Sequence, residues 1–217
     1  IRVFSPLTGE PLGTLPHMQR DQIAAVVERA RAAQPAWEAL GVKARAKLLR
    51  QWVDLVLRDR AKLNEIIRQE TGKTESSALV EILALDNIAN YYASHAPRIL
   101  RSQRRQPLIP LVQRAQVNYY ALGVVGFITP WNYPYLNSLC DLLPALVAGN
   151  AVIVKPSELA PYAAIYGVEK LIEVGVPRDI VGIITGDGKA GRALVDYVDM
   201  ISVTGSTSTG RSAPPNA

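Results

Sequence analysis

Apolar positions in the first hundred residues recur at helical spacing. Ile23, Val26, Val27, Ala30 and Trp37 form one such stripe, and Leu48, Leu49, Trp52, Val53 and Val56 form a second; each predicts an amphipathic helix. A third stripe, Val80, Leu83, Asn87, Ile88 and Tyr91, follows Thr74, which suits an N-cap with Glu75 in the first turn. Residues 1–16 instead read as short strands separated by turns at Pro6, Gly9, Pro11 and Gly13. From about residue 115 the pattern alternates. "QVNYYALGVVGFITP" is strand-like, and "PYLNSLCDLLPALVAGN" predicts one helix closed by Gly149-Asn150. "AVIVKP" is a short buried strand, then come a helix over "PYAAIYGVEKLIEVGVP", a strand at "DIVGIITG", a helix at "KAGRALVDYV" and a strand at "MISVTG". Continuous apolar strands alternating with helices predict an α/β fold: an open parallel sheet, Rossmann-like, with helices on both faces, preceded by a mostly helical N-terminal region.

Composition narrows the functional classes. The 217 residues carry a net charge of +5, and the excess is local: Arg98, Arg101, Arg104, Arg105 and Arg114 share a stretch without an acid. Such a stretch suits a polyanion site or an exposed edge hairpin whose charges discourage wrong strand pairing. No aromatic interleaves the arginines, so the hairpin is favoured and nucleic acid is not expected as a partner. Cys140 is the only cysteine, which fits a reducing, cytoplasmic setting. His17 and His95 do not stand in ligand spacing, so no metal site is expected. There is no run of 18 apolar residues, so no membrane span is expected. The start lacks a signal-peptide core and an initiating Met, and so reads as trimmed.

Three glycine loops compete as phosphate cradles. "TGKT" at 71–74 lacks the earlier glycine of a P-loop, because position 67 is Ile67; Thr71-Gly72 reads better as a helix stop. Gly186-Asp187-Gly188-Lys189-Ala190-Gly191 matches GxGxxG between a strand and a helix. However, it follows the third strand of the alternating half, and no acid stands about 20 residues on. Gly205-Ser206-Thr207 follows an apolar strand, and its backbone N–H groups with a hydroxyl suit a pyrophosphate. Gly210 lies just beyond it.

Three stretches, "GVVGFITPWNYP" (123–134), "VIVKPSELAP" (152–161) and "VTGSTSTGR" (203–211), resemble the aldehyde dehydrogenase superfamily in order, spacing and wording. "ERARAAQPAW" and "QETGKT" add to the resemblance, which runs from Thr8-Gly9 to Arg211 and looks nearest to the succinate-semialdehyde dehydrogenase-like branch. The resemblance implies oxidation of an aldehyde through a thiohemiacetal, hydride transfer to NAD(P)⁺, hydrolysis of a thioester, and a homo-oligomeric full-length enzyme. It divides the chain into 1–114, helical and including part of an oligomerisation hairpin, 115–211, a Rossmann-like NAD(P)-binding core, and a tail, 212–217, that resembles nothing in the family.

The implied roles fall on particular residues. Asn132 matches the asparagine whose side-chain amide donates to the oxyanion, a task that stabilises developing charge without giving up a proton; alone, it also reads as a turn residue. Ile128, Thr129, Pro130 and Trp131 would line the cofactor groove. Lys155 would donate to the adenosine ribose hydroxyls and Glu158 would accept from them. Glu158 should repel a 2′-phosphate, whereas Ser157 and Lys155 can donate to one, so NAD⁺ is expected with NADP⁺ tolerated. "KPSE" also has ordinary first-turn residues for a helix. Ser206, after Gly205, would contact the pyrophosphate, with Gly186 and Gly188 on the adenine side. The family's nucleophilic cysteine and general-base glutamate match nothing here. Cys140 shares an apolar face with Leu136, Leu139, Leu143 and Val147 and reads as an inert buried thiol. The catalytic domain and the last strand of the cofactor sheet are therefore expected to be absent, and the chain alone to be inactive. The alternative is a non-catalytic nucleotide-binding or interaction fragment.

Overall fold

The computed structural model describes residues 1–109 and 111–207; Gly210, Arg211 and the tail with Pro214-Pro215 lie outside the described residues. A short antiparallel hairpin, β1 (Arg2–Phe4) with β2 (Pro11–Thr14), precedes four helices: α1 (Arg20–Ala39), α2 (Val42–Arg58), α3 (Arg60–Thr71) and α4 (Glu75–Ile99). Gly72, at φ +75°, caps α3, and the Thr74 hydroxyl accepts from the Ser77 N–H at 3.3 Å to start α4. A second antiparallel pair, β3 (Gln103–Arg105) with β4 (Ala115–Val117), carries Arg104 and Arg105 exposed, and Arg114 stands just before β4.

The remaining strands, β5 (Val124–Ile128), β6 (Ala151–Lys155), β7 (Val181–Ile183) and β8 (Met200–Val203), form one parallel sheet in the order β7-β6-β5-β8. Between them run α5 (Pro134–Leu139), α6 (Leu142–Ala148), α7 (Tyr162–Glu173) and α8 (Gly188–Val195). Every residue of β6 is buried, which explains its unbroken apolar run. Gly126, Ile153 and Gly182 are register partners on one face. A Cβ at Gly126 would meet Val198 and Leu194, and one at Gly182 would meet Val26, so α8 and α1 cover that face. On the other side α7 packs on α5, where a Cβ at Gly167 would strike Leu139 and Tyr135, and Trp52 of α2 donates to the Gly167 carbonyl at 2.9 Å. The predicted α/β sheet with helices on both faces is thus the observed one.

Four local expectations are corrected. The single helix over 134–150 is two, broken at Cys140-Asp141. Pro144 explains the break: it has no N–H to give, and its ring would clash with the carbonyl of residue 140 in a continuous helix. The strand-like run 116–130 holds parts of two strands in different sheets, parted by Gly123 at φ +123°. The strand at "DIVGIITG" stops at Ile183, because Thr185 turns to bond the N-terminal segment: its carbonyl accepts from the Met18 N–H at 2.9 Å, and its hydroxyl donates to the Pro16 carbonyl at 2.7 Å. Finally, the stripe on α4 faces outward. Val80, Leu83 and Tyr91 are exposed, while Ala78, Glu81, Ile82, Leu85, Asp86, Ala89 and Ala93 are buried.

Candidate functional site

Sheet order decides where a ligand can sit. The chain runs β5, β6, β7 in one direction and then returns to place β8 on the other side of β5. The strand order thus reverses beside β5, and such a switch point opens a crevice at the carboxyl ends of the strands. A cavity of about 400 Å³ lies there. Ile128, Thr129, Pro130 and Trp131 enter it from β5, Lys155, Ser157 and Glu158 from β6, and Val203, Thr204, Gly205 and Ser206 from β8. Gly188, Gly191, Arg192 and Val195 of α8 close the remaining wall.

Lys155 is the one deeply buried cation of this wall. Its Nζ donates to the Pro156 carbonyl at 2.9 Å and lies 3.4 Å from Glu158 Oε2. Burial pushes its ammonium below the usual lysine range, while Glu158 and, secondarily, Asp187 act the other way. Glu158 is partly exposed, so the pair leaves a carboxylate edge open beside the cavity. Thr129 is buried, with its hydroxyl 2.8 Å from that of Ser138, which ties the start of the 129–133 turn to α5. The Ser157 hydroxyl accepts from the Leu159 N–H at 3.3 Å. Gly205 and Ser206 are exposed and follow the carboxyl end of β8.

Asn132 does not line this cavity but an adjoining one, with Pro130, Trp131, Tyr133, Asn137 and the same Thr204–Ser206 rim. Its Oδ1 accepts from Asn137 Nδ2 at 3.1 Å, which leaves its own NH₂ as the end able to donate elsewhere. Gly188 sits in the main cavity, whereas Gly186 does not: a Cβ there would lie 2.6 Å from that of Ala190 and 3.4 Å from the His17 ring, so this glycine is a packing position. Cys140 is half-buried, with its thiol pushed up first by burial and then by Asp141, and its sulfur lies 3.9 Å from the Asn137 carbonyl.

Sequence reasoning passed over the α8 wall beyond Gly188. Its signal is present all the same: 188, 191, 192 and 195 are spaced as one face of a helix, and that helix opens at the carboxyl end of the sheet. Arg192 is exposed and has no ion-pair or hydrogen-bond partner among the described residues. No group of three or more acidic, His or Cys side chains suited to a metal occurs among the described residues, and no helix there is long and apolar enough to cross a membrane.

Comparison with known proteins agrees with this geometry. The family model described as "Aldehyde dehydrogenase family" matches residues 1–215. A Mycolicibacterium smegmatis protein provisionally named succinate-semialdehyde dehydrogenase, NADP(+), is 42% identical over 205 residues, which are 94% of this chain and 40% of that protein. A solved aldehyde dehydrogenase from Brucella melitensis biovar abortus superposes with a TM-score of 0.94 at 31% identity, over 98% of this chain and 44% of that one. A betaine aldehyde dehydrogenase from Staphylococcus aureus, solved with NAD⁺, gives a TM-score of 0.93 at 28% identity, over 98% of this chain and 44% of that one. The chain spans about two fifths of the length of the curated relatives it matches. With its switch-point cavity and its match along almost the whole sequence, the chain belongs to the aldehyde dehydrogenase family.

Proposed function

We propose that these 217 residues form the cofactor-binding part of an NAD(P)⁺-dependent aldehyde dehydrogenase, acting in the whole protein on an aldehyde such as succinate semialdehyde. The observation that carries this is the cavity between the carboxyl ends of β5 and β8, with Lys155 and Glu158 paired on one wall and Gly205-Ser206 on the other. Its residues fit a dinucleotide. Lys155 donates to ribose hydroxyls and Glu158 accepts from them. The N–H groups of Gly205 and Ser206, exposed just past β8, suit a pyrophosphate. The bound cofactor supplies the hydride acceptor. Asn132, in the adjoining cavity, offers its NH₂ to an oxygen gaining negative charge, where an oriented amide donor in a water-poor site lowers the barrier.

Glu158 favours NAD⁺, and the unpaired Arg192 guanidinium with Lys155 makes room for the extra phosphate of NADP⁺. Exposed apolar side chains around the β3–β4 pair, among them Leu108, Leu111, Val112 and Tyr120, support a homo-oligomer of the whole enzyme. A thiolate is the attacking form of cysteine, and Cys140 is held as a half-buried thiol, so the 217 residues by themselves bind cofactor without oxidising an aldehyde.

Calorimetric titration of the chain with NAD⁺ and NADP⁺ tests the reading. Both are expected to bind saturably. Lys155→Ala is expected to weaken each at least about tenfold, as loss of a charge-assisted hydrogen bond of ~1.5–3 kcal/mol requires. Glu158→Gln is expected to move the preference toward NADP⁺. Absence of binding to the unmutated chain would sink the proposal.

A further inference from the structure

Glu81 stands in the middle of α4 with no exposed surface. A charge in such a place persists only when its oxygens are paired. One oxygen, Oε1, accepts from the backbone N–H of Tyr135 at 2.8 Å and of Leu136 at 3.0 Å. The other, Oε2, accepts from Lys73 Nζ at 2.8 Å. The two N–H groups open α5 and have no partner within their own helix. Tyr133, the residue before that helix, provides no side-chain cap, so Glu81 caps it from a different element. Lys73 Nζ also lies 3.7 Å from the centroid of the Tyr133 ring, close enough for a favourable cation–π contact. The ammonium–carboxylate pair therefore grips the turn that follows Asn132 on both sides, at the Tyr133 ring and at the Tyr135 and Leu136 amides. The helix held in this way carries Asn137, whose Nδ2 fixes Asn132 Oδ1 at 3.1 Å.

We propose that Lys73 and Glu81 are positioning residues for the Asn132 amide: they hold α5, α5 holds Asn137, and Asn137 sets which end of the Asn132 side chain faces the cavity. This rests on reading Asn132 as the oxyanion donor. A buried ion pair is a poor stabilising device compared with apolar packing of the same volume; a fixed geometry at the turn is what this one supplies.

The test is a nuclear magnetic resonance spectrum of the chain labelled with ¹⁵N at asparagine, with the side-chain NH₂ signals of Asn132 identified by their loss in Asn132→Asp. Lys73→Met is expected to move the Asn132 and Asn137 signals. It should leave those of Asn150, which bonds Leu122, Gly123 and Ala145 at the amino end of the sheet, in place. Glu81→Gln keeps an oxygen that accepts from Tyr135 and Leu136, and is expected to return the Asn132 signals most of the way relative to Glu81→Ala. Unmoved Asn132 signals in Lys73→Met, with only the melting midpoint lowered, overturn the proposal and leave the pair a structural one. Should Glu81→Ala fail to fold, Lys73→Met, at a partly exposed position, decides the matter. The cofactor titration is read independently, since the asparagine signals need no nucleotide: no NAD⁺ binding with moved Asn132 signals refutes the groove and keeps the positioning pair.

Discussion

Both carboxylate oxygens of Asp86 are buried without a hydrogen-bond partner among the described residues, and the fully buried Tyr135 hydroxyl is in the same position. Burial lifts Asp86 from 3.8 to about 7. Glu70 rises from 4.5 to about 7 for the same first reason, although the N–H groups of Tyr162 and Ala163 pull it back. The sign of the pH dependence follows. Between about 4 and 7 the folded chain holds protons that the unfolded chain has released, so stability falls as pH rises through that window and is greatest at its acidic end. About three pK units correspond to ~4 kcal/mol at most. Asp86→Asn removes the charge but leaves an amide short of partners, so a gain on the order of 2 kcal/mol is expected at pH 8, with little change at pH 5. Urea unfolding at both pH values measures it. Equal destabilisation at both would mean that the Asp86 carboxylate has a partner.

At the scale of elements, α8 separates glycines that a motif treats alike. Gly191 lies inside the helix, and a Cβ there would meet Ile128 and Lys155 at 3.4 Å, an ordinary contact. Gly186, at φ +155°, has no such room beside Ala190. Gly191→Ala is therefore expected to stabilise the chain by ~0.5–1 kcal/mol through helix propensity, and Gly186→Ala to destabilise it by ~1–3 kcal/mol through crowding. Thermal unfolding of the two variants should move in opposite directions; a shared direction would refute the packing distinction. The same elements show what was legible in the sequence. The alternation of β5, β6, β7 and β8 with helices could be read directly, because each is a short, mainly apolar run set between helical stretches, and β5 and β6, buried on both faces, must be apolar nearly throughout. Lys155 ends one of these strands and Glu158 and Gly205 come soon after one, the places to which the family resemblance assigned their roles. The outward stripe of α4 could not be read correctly: apolar pattern alone favours Val80 and Leu83, whereas the buried face spends two positions on Glu81 and Asp86, and the worth of Glu81 depends on an α5 terminus 54 residues away. Arg192 escaped notice because its role depends on which face of α8 meets the sheet, a tertiary fact.

At the scale of the whole molecule, the cavity lies across the seam between β5 and the edge strand β8. Among the described residues β8 bonds only to β5, with Met200 exposed and Ile201 to Val203 half-buried, whereas β6 is buried throughout. A strand with one neighbour and little burial opens at a lower free energy than the centre of the sheet. A nucleotide seated between Ile128–Trp131 and Val203–Ser206 would touch both sides of that seam, so its binding energy goes preferentially into closing it. A ligand that binds only the folded form at about 100 times its Kd adds ~2.7 kcal/mol. For a chain of 217 residues each kcal/mol moves the midpoint by roughly 2–4 °C, so NAD⁺ is expected to raise Tm by about 5–10 °C. Amide hydrogen exchange should slow more over residues 200–204 than over β6, and at the same NAD⁺ concentration both effects should fall to about half or less in Lys155→Ala, as a tenfold weaker Kd requires. Uniform slowing across the sheet, or a rise in Tm left undiminished in Lys155→Ala, would place the nucleotide outside the β5–β8 crevice.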